Sequence, residues 1–180
     1  MNRLLVEQMA MYSAYHRDAR NRATHFLGVP AIAFSILVPM AWLRLDLGGV
    51  SLSAAMVFTV GVLVFYLWMD RALAFATTAV YLPILLVAEW VGAQSLAIGG
   101  SVFAVFFVGG WIVQLIGHAF EGRKPALLDN LAQIFIAPIF LTAEILIAVG
   151  LKHDLQAAVA ARMPHYLPAA ESEAGDLSAA

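Results

Sequence analysis

The chain has 180 residues, 62% of them hydrophobic and 12% charged, with a mean hydropathy of +0.84. A soluble domain is about half apolar and about a quarter charged, so this composition excludes a water-soluble fold and requires lipid around most of the chain. The net charge of −2 gives no bulk attraction for nucleic acid, and the lack of cysteine excludes disulfides, thiolate metal sites and thiol catalysis.

In chain order, the first 25 residues are polar and lack the basic start and apolar core of a cleaved signal, so they are expected to stay on the protein. Leu4, Leu5, Met9, Tyr12 and Tyr15 alternate there with polar residues, the pattern of an amphipathic helix lying at a membrane interface. Five apolar stretches then approach the ~20 residues that a spanning helix needs: 26–43, 51–69, 72–91, 96–117 and 128–150. Pro30 falls near the start of the first, where its missing N–H costs little. Asp70 and Arg71 divide the second from the third as a tight surface hairpin. Pro138 is expected to kink the fifth. The predicted fold is therefore all-α: a polytopic membrane protein of about five transmembrane helices preceded by an interfacial helix. Its segments are 1–25, the helical domain 26–150, and an outer-side segment with a disordered tail at 151–180, rich in Ala, Pro, Ser and acid.

Lys and Arg set the orientation. With the N-terminus in the cytoplasm, Arg3, Arg17, Arg20, Arg22, Arg71, Arg123 and Lys124 lie inside, and Arg44, Lys152 and Arg162 lie outside. This bias favours N-in and C-out, and it puts the stretches around His16–His25 and His118–Lys124 on one side.

Three of the five histidines, His16, His25 and His118, thus gather at one membrane boundary. Tyr15, Asp18, Asn21, Gln114, Glu121, Asp129, Asn130 and Gln133 surround them. Polar groups at membrane depth are costly and tend to be functional. Gln114, His118 and Glu121 fall at i, i+4 and i+7, one stripe if the helix reaches Gly122. His16 and His25 are nine apart and would oppose each other on a straight helix, so they can face one site only if the chain breaks between them. Neutral imidazole suits iron, zinc or copper, and three imidazoles leave open positions for substrate and oxygen. Tyr15, Asn21, Gln114, Gln133 and Glu121 are candidates to fix the rings from a second layer. Interfacial histidines bonded to headgroups or carbonyls would show the same spacing, and spacing alone leaves both open. Arg17, Arg20, Arg22, Arg123 and Lys124 form a basic rim. It fits either ordinary contact with anionic lipid or capture of a lipid carboxylate, for which Arg22, Arg123 and Lys124 are the candidates. Glu144 is expected as an interhelical hydrogen-bond partner toward the outer side, and Glu89 as an interfacial residue. His153 and His165 are not expected to be ligands.

Several stretches carry a resemblance. They are Tyr15-His16, Asn21, His25 and Gly28-Val29-Pro30, then Gly110-Trp111-Ile112-Val113-Gln114 and Gly117-His118. Phe120-Glu121-Gly122-Arg123-Lys124-Pro125-Ala126-Leu127 follows, with Asp129-Asn130-Leu131, Gln133 and Pro138 beyond it. From about Met11 to Gly150 the chain resembles the fungal-type 2-hydroxy fatty acid dioxygenase family, most specifically over 118–133. The resemblance implies an Fe(II)-dependent dioxygenase of fatty acid α-oxidation, which consumes O2 and shortens a 2-hydroxy fatty acid by one carbon. In fungi such enzymes serve phytosphingosine breakdown in the endoplasmic reticulum; in a bacterium the inner membrane is the expected place. The iron ligands it implies are His16, His25 and His118, which with Glu121 make up the implied catalytic set. Arg17 stands where some relatives have a second histidine, so the implied set is three. Other readings of the residues are a different metal enzyme (a zinc hydrolase or a hydroxylase), a non-catalytic lipid-binding or scaffold protein, and a small transporter. The last would want charged or broken helices at the midplane, and the span centres carry almost no ionisable groups.

Overall fold

The computed structural model describes residues 1–122, 130 and 132–167. The described residues are almost wholly helical. Helix α1 is Arg3–Tyr15, α2 Ala19–Trp42, α3 Ala54–Met69, α4 Arg71–Gly92, α5 Leu96–Glu121, α6 Gln133–Ala148 and α7 His153–Arg162, followed by a 3-10 turn, Met163–Tyr166. Three helices, α2, α4 and α5, are long and apolar enough to cross a membrane, while α3 and α6 are apolar but shorter. Arg123, Lys124, Asp129 and most of the tail expected to be disordered lie outside the described residues.

Local chemistry sets the helix ends. Asn2 caps α1 by accepting from the Leu4 and Leu5 N–H groups, Asp18 caps α2, Ser53 α3, Asp70 α4 and Ser95 α5. Gly122 ends α5 at φ +68°, a left-handed cap that glycine takes without strain. Between α2 and α3 the chain makes a hairpin of strands β1 (Arg44–Leu47) and β2 (Val50–Ser53), with Leu47 opposite Val50. Gly48 and Gly49, both at positive φ, form its two-residue turn. Arg44 and Ser53 both bond Glu89, which ties this hairpin to the end of α4.

The first span differs from its sequence boundary. α2 begins at Ala19, seven residues before the apolar run, because Asp18 caps it there. Pro30 is consequently inside the helix and removes the N–H that would bond the Phe26 carbonyl. α2 and α5 pack along glycines. A Cβ on Gly28 would lie 2.5 Å from the Gln114 side chain, one on Gly110 would lie 2.7 Å from Ile32, and one on Gly117 would lie 2.0 Å from Thr24 Oγ1. Small residues let helices in lipid approach closely enough for dispersion to hold them.

The C-terminal segment packs against the α3–α4 junction and α1. Charge count predicts Lys152 and Arg162 opposite Arg71 and the N-terminus. Yet Lys152 Nζ lies 2.6 Å from both Asp70 oxygens in the α3–α4 junction, and Arg162 Nε lies 2.7 Å from Glu7 of α1. These ion pairs tie the C-terminal segment to the α3–α4 junction and to α1. Glu144, expected toward the outer side, has Arg22 at 3.9 Å as its partner near the start of α2. Gln133, at the other end of α6, bonds Gln8 of α1. α6 is thus tied to the start of α2 at one end and to α1 at the other. α1, α6 and α7 pack there around Leu5, Met9, Tyr12, Ile136, Phe140 and Leu155.

Candidate metal centre

The break needed between His16 and His25 exists. α1 stops at Tyr15, and Arg17–Asp18 turn the chain into α2. Glu121, at the last turn of α5, fixes that turn: its two oxygens accept from the Arg17 N–H at 3.0 Å and the Asp18 N–H at 2.8 Å. Asn21 Nδ2 donates to it as well, at 3.1 Å, and makes a longer contact of 3.4 Å to the Tyr15 carbonyl. Glu121 therefore grips the backbone beside His16, and its hydrogen bonds go to this turn.

The result is a buried cluster of His16, His25 and His118, each 5% exposed or less. One ring nitrogen from each lies within 4.8 Å of the others, an arrangement that could hold a metal ion. His16 Nδ1 lies 2.7 Å from the Tyr12 carbonyl, and His25 Nδ1 lies 2.8 Å from the Asn21 carbonyl. A carbonyl only accepts, so each Nδ1 carries the proton and each neutral ring presents an Nε2 lone pair. Those two Nε2 atoms face each other at 3.1 Å. Two lone pairs at that distance repel unless a proton or a cation lies between them. His118, whose ring centroid stands 5.1 Å from both others, has a buried Nδ1 with no hydrogen-bond partner. Burial, with His25 adding to it, pushes the His16 imidazole down to about 2, so at neutral pH this ring is neutral. Tyr12 stacks on His16 at 3.9 Å with 8° between the planes, holding the ring in place. This set of three imidazole donors, with His16 and His25 held through their other nitrogens, suits a first-row transition metal.

The imidazoles open onto one cavity of about 200 Å³. Its wall is apolar along α2 from Val29 to Leu37, along α3 at Phe58, Val62 and Leu63, with Thr59 among them, and along α6 at Ile134, Phe135 and Ala137. Tyr66, Tyr81, Trp111, Gln114 and Gln133 add polar tips. Phe58, Ile134 and Phe135 line it and are also about two-fifths exposed on the outer surface of the helices.

The candidates sort by position. His16, His25, His118, Gln114 and Gln133 all line the cavity; Asn21 and Glu121 hold the α1–α2 turn; Tyr15 contributes its carbonyl to Asn21. Arg22 pairs with Glu144 instead of lining the cavity. Tyr12, Tyr66 and Tyr81 were not legible as site residues. Tyr12 at i−4 from His16 carried the one usable signal, whereas Tyr66 and Tyr81 sit in apolar runs that look like ordinary span.

The sequence profile of the Mpo1-like family, described as 2-hydroxy-palmitic acid dioxygenase Mpo1-like, matches residues 3–149. The chain is 30% identical over 165 residues to the 2-hydroxy-palmitic acid dioxygenase MPO1 of Saccharomyces cerevisiae, with 84% of this chain and 90% of the yeast protein covered. No solved structure matches.

Proposed function

This chain belongs to the Mpo1-like family, and on that premise we propose that it is an Fe(II)-dependent dioxygenase that shortens a 2-hydroxy fatty acid by one carbon. The observation that carries the reading is the pair of Nε2 lone pairs at 3.1 Å with a third buried imidazole beside them. His16, His25 and His118 would hold the iron, and ferrous iron there would supply the activation of O2 that zinc, lacking redox chemistry, cannot. With O2 as oxidant, a 2-hydroxy acid balances to the acid one carbon shorter, CO2 and water without another reductant.

The chain's own residues do the rest. The Tyr12 and Asn21 carbonyls hold the Nδ1 protons and so aim His16 and His25. Glu121 keeps the turn closed, acting as a positioning residue. The apolar wall from His25 to Leu37 runs about 18 Å at the helical rise, room for a long acyl chain held away from water. The exposed Phe58 and Phe135 mark where that chain would enter from lipid.

The protein is multi-pass, with its N-terminus in the cytoplasm. Four helices, α2 to α5, cross, and α6 returns along the inner side instead of making a fifth crossing. Ion pairs of Lys152 with Asp70 and Arg162 with Glu7 support this. With those pairs inside, nine of the ten basic residues fall on one side against Arg44 on the other, a stronger bias than the sequence order suggested. Arg123 and Lys124, next in sequence after α5, are proposed to attract the anionic head.

Metal analysis of protein purified without oxygen, with 2-hydroxypalmitate turnover measured beside it, tests the function. Iron near one per chain and O2-dependent release of the shortened acid are expected. A folded protein that takes up no iron, or iron-loaded protein without turnover, overturns it.

A further inference from the structure

Four buried side-chain polar atoms among the described residues have no hydrogen-bond partner: Asn21 Oδ1, Tyr81 Oη, His118 Nδ1 and Gln133 Oε1. An unsatisfied buried polar atom is costly and needs a reason. Asn21 Oδ1 is pressed against Gly117 in the α2–α5 contact. His118 belongs to the metal cluster. Tyr81 and Gln133 remain, and both line the cavity that the three imidazoles open onto.

Their donor and acceptor characters are defined. Gln133 Nε2 donates to Gln8 Oε1 at 2.7 Å, with the Gln8 carbonyl a further acceptor at 3.5 Å, which leaves Oε1 as the free acceptor. Tyr66, the neighbouring phenol, is satisfied by donating to the Phe135 carbonyl at 2.5 Å; Tyr81 has no such partner. Tyr81 lines this cavity together with Tyr12, which stacks on His16. Among the described residues no Lys or Arg lines the cavity, so a carboxylate inside it must be met by neutral donors and by the metal.

We propose that these two residues read the polar head of the bound acid: Gln133 Oε1 accepts from its 2-hydroxyl, and the Tyr81 hydroxyl donates to its carboxylate. The proposal rests on the reading of the chain as a 2-hydroxy fatty acid dioxygenase and names what selects the hydroxylated acid over the plain one. A plain fatty acid offers Gln133 no donor and leaves its oxygen buried and unpaired, the condition under which a site rejects an analogue strongly.

The test is equilibrium binding of 2-hydroxypalmitate and of palmitate to the metal-loaded, detergent-solubilised full chain with oxygen excluded, so that nothing turns over. Wild type is expected to prefer the 2-hydroxy acid by about tenfold or more. Gln133→Met should narrow that preference toward one while leaving palmitate affinity unchanged. Tyr81→Phe should weaken both acids about tenfold. Gln8→Met removes the partner of Gln133 Nε2 but keeps the Gln133 oxygen, so it should retain the preference; this variant separates head recognition from damage to the α1–α6 contact. If wild type prefers the 2-hydroxy acid and Gln133→Met and Tyr81→Phe bind both acids as wild type does, the proposal is overturned and the function stands. If wild type binds neither acid, both fall together.

Discussion

His16 and His25, nine residues apart in sequence, hold their Nε2 atoms 3.1 Å apart while each Nδ1 faces a backbone carbonyl of the residue four before it. The carbonyls fix the tautomer, so the short distance sets lone pair against lone pair. A cation at this point turns repulsion into two ligand bonds. Single His16→Ala, His25→Ala and His118→Ala variants are each expected to lose most of the bound iron, measured by elemental analysis after anaerobic purification. Removing the metal from wild type with a chelator should lower the melting temperature, since an ion that binds only the folded form stabilises it. Iron retained in all three variants would place the metal elsewhere.

Glu121 touches no imidazole through a hydrogen bond, yet both its oxygens are used by the turn beside His16. Outer partners of this kind are worth about 10–100-fold in metal affinity. Glu121→Gln, which keeps one acceptor oxygen, should weaken iron binding about tenfold, and Glu121→Ala nearer to a hundredfold, in a competition titration. A purely catalytic carboxylate would instead lower turnover and leave affinity unchanged.

The α2–α5 contact makes a sharp distinction between two glycines of one helix. A Cβ at Gly117 meets Thr24 Oγ1 at 2.0 Å and Asn21 Oδ1 at 2.6 Å, while one at Gly109 meets nothing within 4 Å. Gly117→Ala should cost about 1–3 kcal/mol by overpacking, and Gly109→Ala should fall within about 1 kcal/mol of wild type. Thermal unfolding in detergent compares them. Equal melting temperatures would mean that the helices are not in this close contact.

Asp70 supplies a pH dependence. Burial pushes its carboxyl up, but hydrogen bonds from Lys152 and the Leu73 and Ala72 N–H groups, with the charge of Lys152, outweigh burial and hold it below the ordinary value. A lowered folded value means that the unfolded chain takes up protons first. The stabilisation is therefore complete above the unfolded value of about 3.9 and is lost as pH falls through the folded one. Melting temperature measured down to about pH 3 should fall less steeply for Asp70→Asn than for wild type. Identical slopes would show that Lys152 does not hold this carboxylate.

The chain contains no cysteine, so single introduced cysteines report sidedness without background. Asp46→Cys in the β-hairpin and Gln156→Cys in α7 are both exposed positions. They should react with an impermeant reagent from opposite sides of the membrane, Gln156→Cys from the side of the N-terminus. Labelling from the same side would make α6 a fifth crossing.

Composition alone pointed to lipid as the solvent and to an all-helical chain, because a chain 62% apolar cannot bury that surface in water, and three of its helices are long and apolar enough to cross a membrane. Residue type and clustering also marked His16, His25 and His118, since a polar residue stands out in an apolar chain. Which atoms meet was settled only in three dimensions. The place of the break between the two N-terminal histidines depends on Glu121, about a hundred residues away, capturing the Arg17 and Asp18 N–H groups. The partner of Lys152 is Asp70, far from it in sequence, and a charge count has no means to see a partner. The Tyr81 and Gln133 oxygens became notable only through what they lack, and whether a buried atom has a partner is a property of packing that no spacing encodes.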